Sequence, residues 1–199
     1  RDLEIGGAGN LLGAQQSGHI AAIGYEMYCR MLERATRKLT EQPLLEPARA
    51  HLELGVCGTL PRRYIKSDKH RMEAYRRISR AATLEALEVV AADLRAAYGE
   101  PPATARTLLE LTELRIAATH LEIDSIKLDG PDLIFASRRS RHLDPLLKGA
   151  PGRASIIDDR TVYYRPPANY LNPTSTLLTV LRKLLVNPVR KGQVAAAAG

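Results

Sequence analysis

The sequence predicts an α+β fold rather than a parallel α/β one, on three observations. Apolar residues recur at three- and four-residue spacing in four segments between about Ile20 and Leu121. After Glu122 the period drops to two, in short runs separated by turn residues. One more helical run closes the chain, so helices and hairpins are segregated instead of alternating as β-α-β units. The expected architecture is an amphipathic linker helix, then a layer of about three helices packed with a small antiparallel, hairpin-built sheet, and a C-terminal helix.

Residues 1–18 carry DLEIGGAGNLLG followed by QQSG, which reads as a short extended piece, a tight loop and a break. Ile20, Ile23, Met27, Met31, Leu32, Ala35 and Leu39 then trace one face of a helix, which Pro43 and Pro47 terminate. His51 to Val56 alternates weakly, as a half-buried strand does, and leads into the Thr59-Leu60-Pro61 turn. Ser67 or Asp68 is placed to cap the next helix, with Met72, Tyr75 and Ile78 on its apolar side. Thr83 is placed to cap another, with Leu84, Leu87, Val90, Leu94 and Tyr98 on one face and Gly99 as its stop. Pro101-Pro102 restarts the chain into a third helix with Leu108, Leu111, Leu114 and Leu121.

Two hairpins are predicted. Ser125–Leu128 and Leu133–Ala136 flank Asp129-Gly130-Pro131-Asp132, and Ala154–Ile157 and Thr161–Tyr164 flank Asp158-Asp159. His142 to Lys148 forms a short helix between them. Asn172 is expected to cap, and Pro173 to open, a last helix through Leu177, Leu178, Leu181, Leu184 and Leu185. The expected divisions are a loop element at 1–18, a linker helix and proline linker at 19–49, a domain at 50–187 and a disordered tail at 188–199.

Composition bounds the class. With 199 residues, 45% apolar and 26% charged, the chain can bury a sizeable core without disulfide or metal staples. Its two cysteines, Cys29 and Cys57, are too sparse for a disulfide framework; both read as small core residues in a reduced, intracellular setting. No apolar run reaches the roughly 18 residues of a membrane span, and Arg1-Asp2-Leu3-Glu4 does not open a signal peptide. The chain begins on Arg1 in the middle of a patterned segment, as a piece of something longer would.

The net charge of +7 is unevenly placed. Seven basic residues face two acidic ones after position 150, and Arg62, Arg63, Lys66, Lys69, Arg71, Arg76, Arg77 and Arg80 face only Asp68 and Glu73. Arg62, Arg63, Lys66, Arg76 and Arg77 are therefore the candidate basic contact patch, and with Arg182, Lys183, Arg190 and Lys191 they support an alternative reading as a nucleic-acid-binding module. With no Trp and one Phe, stacking on single-stranded bases is not expected.

Catalytic chemistry is sparse. Gly7-Ala8-Gly9 and Gly13 superficially resemble a dinucleotide-binding turn, but Gln16-Ser17-Gly18 breaks the chain where that site needs a continuing helix. There is no phosphate loop, H-E-x-x-H or G-x-S-x-G motif. The five histidines lack paired ligand spacing, and Asp158-Asp159 suits a turn better than a metal site. No catalytic residue, metal ligand or cofactor is expected in this chain.

The string RDLEIGGAGNLLGAQQSGHIAAIGYEMYCRMLE resembles the end of the motor module in the bacterial transcription-repair coupling factor family (Mfd). Asp2-Leu3-Glu4-Ile5, Gly7-Ala8-Gly9, Leu11-Leu12-Gly13 and Gln16-Ser17-Gly18 fall in register on a translocation motif which that family shares with the RecG branch-migration helicase. The L-P-x-x-Y-I string at Leu60 to Ile65, RMEAYRRISRA and YGEPPATARTLLELTELR are similar to the domain that follows in the family. The resemblance implies an ATP-driven double-stranded-DNA translocase of the bacterial cytoplasm that displaces stalled RNA polymerase and recruits UvrA for excision repair. The ATP and Mg2+ sites, and those for polymerase and UvrA, would lie in other domains.

On this resemblance the present chain supplies the translocation loop, with Asp2, Gly6, Gly7, Gly9, Gln16, Ser17 and Gly18 as its site residues, and an autoinhibitory domain that docks on a UvrB-like module of the same protein. Gly6 stands where the family has an arginine, and glycine has no side chain with which to carry that residue's charge or hydrogen bonds. A RecG-like helicase shares the loop but not the long α+β domain behind it.

Overall fold

The structure, a computed structural model, describes residues 49–192. The translocation-loop residues, the linker helix, Cys29 and residues 193–199 lie outside the described part. Within it the chain forms two compact units, one of Cys57–Ala81 and Glu85–Leu109, the other of Ala82–Leu84 and the described parts of Pro47–Val56 and Glu110–Gly199.

In the first unit, helix α1 spans Asp68–Arg80, and Ser67 Oγ caps it by accepting from His70 N–H at 3.3 Å. Its inner face is Met72, Ala74, Tyr75 and Ile78, all buried as the spacing requires. The Tyr75 hydroxyl accepts the Leu60 N–H at 2.7 Å. Helix α2 spans Leu84–Tyr98, and its buried positions Leu84, Leu87, Val90 and Leu94 repeat the three- and four-residue spacing of the sequence. Gly99 stops it at a φ of +81°, a conformation open to glycine at little cost. Tyr98 departs from the expected apolar face: it is 37% exposed and rests edge-on against Tyr64, with ring centroids 5.8 Å apart. Tyr64 in turn donates its hydroxyl to Gly99 O at 3.0 Å.

Helix α3 spans Ala103–His120. In the second unit its later residues Leu111, Thr112, Leu114, Ile116, Ala117 and Ala118 are buried. Five strands follow from the predicted segments: β1 His51–Glu53, β2 Ile123–Asp129, β3 Asp132–Ser137, β4 Arg153–Ile156 and β5 Thr161–Arg165. They lie in the order β1-β2-β3-β5-β4. Both hairpins form where turn chemistry places them, but the sheet is not wholly antiparallel. β1 is shorter than expected and joins β2 in parallel, a partnership reached by a connection of about 70 residues and therefore invisible to local periodicity. Leu52, Ile126, Phe135, Val162 and Ile156 form one apolar row across all five strands.

Between the hairpins a 3-10 turn at Ser140–Leu143 runs into helix α4, Asp144–Lys148. After β5, helix α5 spans Thr174–Leu181, widens into a π-helical turn at Arg182–Val186 and ends as α6, Asn187–Arg190. Two expectations change here. Asn172 does not cap, because the helix starts at Thr174 with Pro173 in the cap position and no side-chain cap bond. Nor does Pro188 end the helix: it sits in the first turn of a new helical segment, where its missing N–H removes no bond. The expected tail at 188–199 therefore begins with helical residues.

The open end of the first hairpin's partner strand carries a surface ion pair. Arg165 donates to Asp132 through Nε at 2.8 Å and Nη2 at 2.7 Å. That hydrogen-bonded guanidinium holds the Asp132 carboxyl below the usual carboxylate range. A depressed folded-state pKa contributes stability that is present above the unfolded value near 4 and is lost as pH falls through the folded one. Asp132→Asn is accordingly expected to flatten the fall of stability below about pH 4, read as urea midpoints at several pH values. Parallel wild-type and variant profiles would show that the pair carries no linkage.

Candidate functional site

Among the described residues no group of three or more His, Cys, Asp or Glu side chains is arranged to hold a metal ion. No described helix is long and apolar enough to cross a membrane. Asp158-Asp159 forms the turn of the second hairpin. The Asp158 Oδ1 accepts the Arg160 N–H at 2.8 Å, which lowers the carboxyl's pKa, and the buried Ser140 donates its hydroxyl to Asp158 O at 2.7 Å. These groups hold the turn. Cys57 is exposed, not a core residue as expected. It follows β1 on a segment whose neighbours Gly58 and Leu60, not Cys57, face inward.

The candidate basic patch is partly dismantled by its own carboxylates. Arg77 pairs with Asp93 across α1 and α2, Arg62 lies 3.6 Å from Asp68, and Arg76 lies 3.7 Å from Glu73. Arg71 is buried, donating to Ile65 O at 3.0 Å and to Asp68 at 2.5 Å. Arg63 and Lys66 are exposed and have no carboxylate partner among the described residues. At the C-terminal end, Arg182 and Arg190 converge on Glu113 of α3 at 2.7 and 2.8 Å. They clasp the terminal helix to α3 and do not form the free basic surface that their sequence positions suggest.

Lys69 and Arg80, which the sequence already counts in the basic cluster, are exposed on α1 in the same stripe as Arg76, at intervals of seven and four residues. One surface is not readable from the sequence. At the sheet edge, Ile156 is 42% exposed, Ile157 58% and Tyr163 39%. Among the described residues β4 is hydrogen-bonded to β5 alone, so its other side is an edge of the sheet, beside Ile156 and Ile157. An alternating strand pattern does not reveal that a strand is the last in its sheet.

A family model described as the TRCF domain matches residues 54–146. A transcription-repair-coupling factor of Mycobacterium bovis is 32% identical over 188 residues, covering 89% of this chain and 14% of that protein. One from Staphylococcus haemolyticus is 34% identical over 135 residues, covering 67% of this chain and 12% of that protein. The chain thus spans about one seventh of the length of such relatives. A crystal structure of the C-terminal domain of a transcription-repair coupling factor superposes with a TM-score of 0.61 at 15% identity, over 74% of this chain and 98% of that one. The last likeness is one of fold.

Proposed function

This chain belongs to the transcription-repair coupling factor family, and on that premise we propose that it serves as the terminal part of an ATP-dependent double-stranded-DNA translocase that displaces stalled RNA polymerase and brings in UvrA. Residues 1–18 would be the motor's translocation loop. The domain behind them would be a non-catalytic lid that docks on a UvrB-like module of the same protein and masks its UvrA-binding face. The observation that carries this reading is the presence, in one chain, of the loop letters from Asp2 to Gly18 and a TRCF domain at 54–146. ATP and Mg2+ would act in domains other than this one.

Docking requires a surface rather than reacting groups, and the β4 edge has the attributes of one. Ile156, Ile157 and Tyr163 supply apolar area, the edge side of β4 supplies backbone donors and acceptors, and Arg153 and Arg160 rim it. The relatives' far greater length supplies candidate partners within the same polypeptide. The test is titration of the 199-residue chain against the UvrB-like module of the longer protein. Saturable binding is expected, and Ile157→Asp should weaken it about 30-fold, the effect of losing a central apolar anchor. Absence of binding by folded wild-type chain would remove the lid reading; unchanged binding by the variant would place the contact elsewhere.

A further inference from the structure

We infer that the exposed stripe of α1 and the loop leading into it form a contact surface for the phosphate backbone of duplex DNA. The inference does not depend on the lid reading, since it concerns a different surface and a different class of partner.

The surface is built in two parts. Lys69, Arg76 and Arg80 follow one another along the outer face of α1, opposite the buried Arg71, Ala74 and Ile78. At 1.5 Å rise per residue their stripe is about 16 Å long. The loop before the helix is folded onto its first turn: Pro61 O accepts the N–H groups of Tyr64 and Ile65 at 2.9 and 3.1 Å, and Arg71 grips Ile65 O at 3.0 Å. Arg62, Arg63 and Lys66 are thereby held as exposed cations beside the N-terminal end of the same helix.

Carboxylates neutralise this surface only in part. Asp68 is shared by the buried Arg71 and by Arg62, and Glu73 lies against Arg76. Arg63, Lys66, Lys69 and Arg80 have no such partner among the described residues. Several of these cations also crowd the positive end of a helix, an arrangement that costs electrostatic energy when the surface is empty and that an anion in front of it would offset.

The chemistry of the surroundings selects the partner. A protein interface of any strength draws on apolar or aromatic anchors at its centre. The exposed large apolar residues of the described chain are Val89, Tyr98, Ile156, Ile157 and Tyr163, none of them between positions 60 and 80. Without an aromatic platform the surface cannot hold single-stranded bases by stacking. Cations alone suffice for phosphates, with no reading of sequence.

The experiment measures binding of the 199-residue chain to a fluorescent 30-base-pair duplex from about 20 to 200 mM salt, alongside two charge-reversal variants of equal net charge. One is Lys66→Glu/Lys69→Glu/Arg80→Glu; the other reverses Lys127, Arg141 and Lys148, exposed cations outside positions 61–80. Wild type is expected to bind with a log–log salt slope of about −3 to −4, and the α1 variant to lose about 30-fold in affinity at 50 mM salt while the control loses only a few-fold. If the variant fails to match the wild-type melting curve, the neutral set Lys66→Gln/Lys69→Gln/Arg80→Gln replaces it, with a smaller loss in the same order. Equal losses in both variants would reduce the effect to net charge and overturn the proposal. So would absence of wild-type binding at 20 mM salt, or a polyglutamate chain competing as well as duplex, which would make the surface a site for acidic protein.

Discussion

Replacing Gly58 by alanine is expected to cost about 3 kcal/mol or more and to lower the melting temperature by on the order of 10 °C. The reason is a close approach of two backbones in the first unit. Thr59 N–H donates to Thr104 O at 3.1 Å, which draws the segment after β1 against the first turns of α3. A Cβ on Gly58 would fall onto the main-chain nitrogen and Cα of Leu108 and lie 2.7 Å from its Cβ, where carbon atoms ordinarily keep about 3.5–4 Å. Leu108 is itself fully buried, so neither a side-chain rotation nor an outward step relieves the overlap. Either the Thr59–Thr104 bond breaks or α3 shifts. The check is a thermal melt followed by circular dichroism, with Gly55→Ala as the comparison: Gly55 has open space around its Cβ position and only its φ of +67° to offend. A Gly58→Ala protein melting within 2 °C of wild type would show that the approach is looser than described.

The Gly58 contact marks where sequence reasoning stops. Periodicity located α1, α2 and α3 and both hairpins because those elements are encoded locally: the buried residues of α2 are the ones whose spacing predicts them, and Gly99 and Gly130 stand where turns need them. The misses are non-local. The parallel seat of β1 beside β2, the inward turn of Gly58 rather than Cys57, and the ends of the sheet all depend on what lies next to a segment in space. The same division holds for the candidate surfaces. Their cations are countable in the sequence, but only the folded chain shows Arg77, Arg182 and Arg190 spoken for by Asp93 and Glu113 while Lys69 and Arg80 extend the α1 stripe. The loop motif at 1–18 is legible as a string of letters, and its meaning comes from resemblance, since five glycines and two glutamines have no chemistry of their own that names a motor.

The sheet's central residue carries the second large effect. Phe135, the chain's one phenylalanine, lies on β3 with Ile126 opposite it on β2 and Val162 opposite it on β5, and all three are fully buried. Truncating it to alanine removes a ring from the middle of the five-residue row that crosses every strand. The flanking strands are hydrogen-bonded on both sides and cannot collapse into the space, so the cavity persists and its cost adds to the lost transfer energy. Phe135→Ala should therefore lose about 3–5 kcal/mol, whereas Phe135→Leu, which retains most of the volume, should lose less than about 1.5 kcal/mol. Urea unfolding of the three proteins measures both differences. Because stability of a domain totals only about 5–15 kcal/mol, the alanine variant should also populate unfolded chain at physiological temperature, and with it lose whatever the β4 edge does, since among the described residues β4 joins the sheet through β5 and β5 through the strand that carries Phe135. Equal losses for alanine and leucine would mean that the row is not close-packed at its centre.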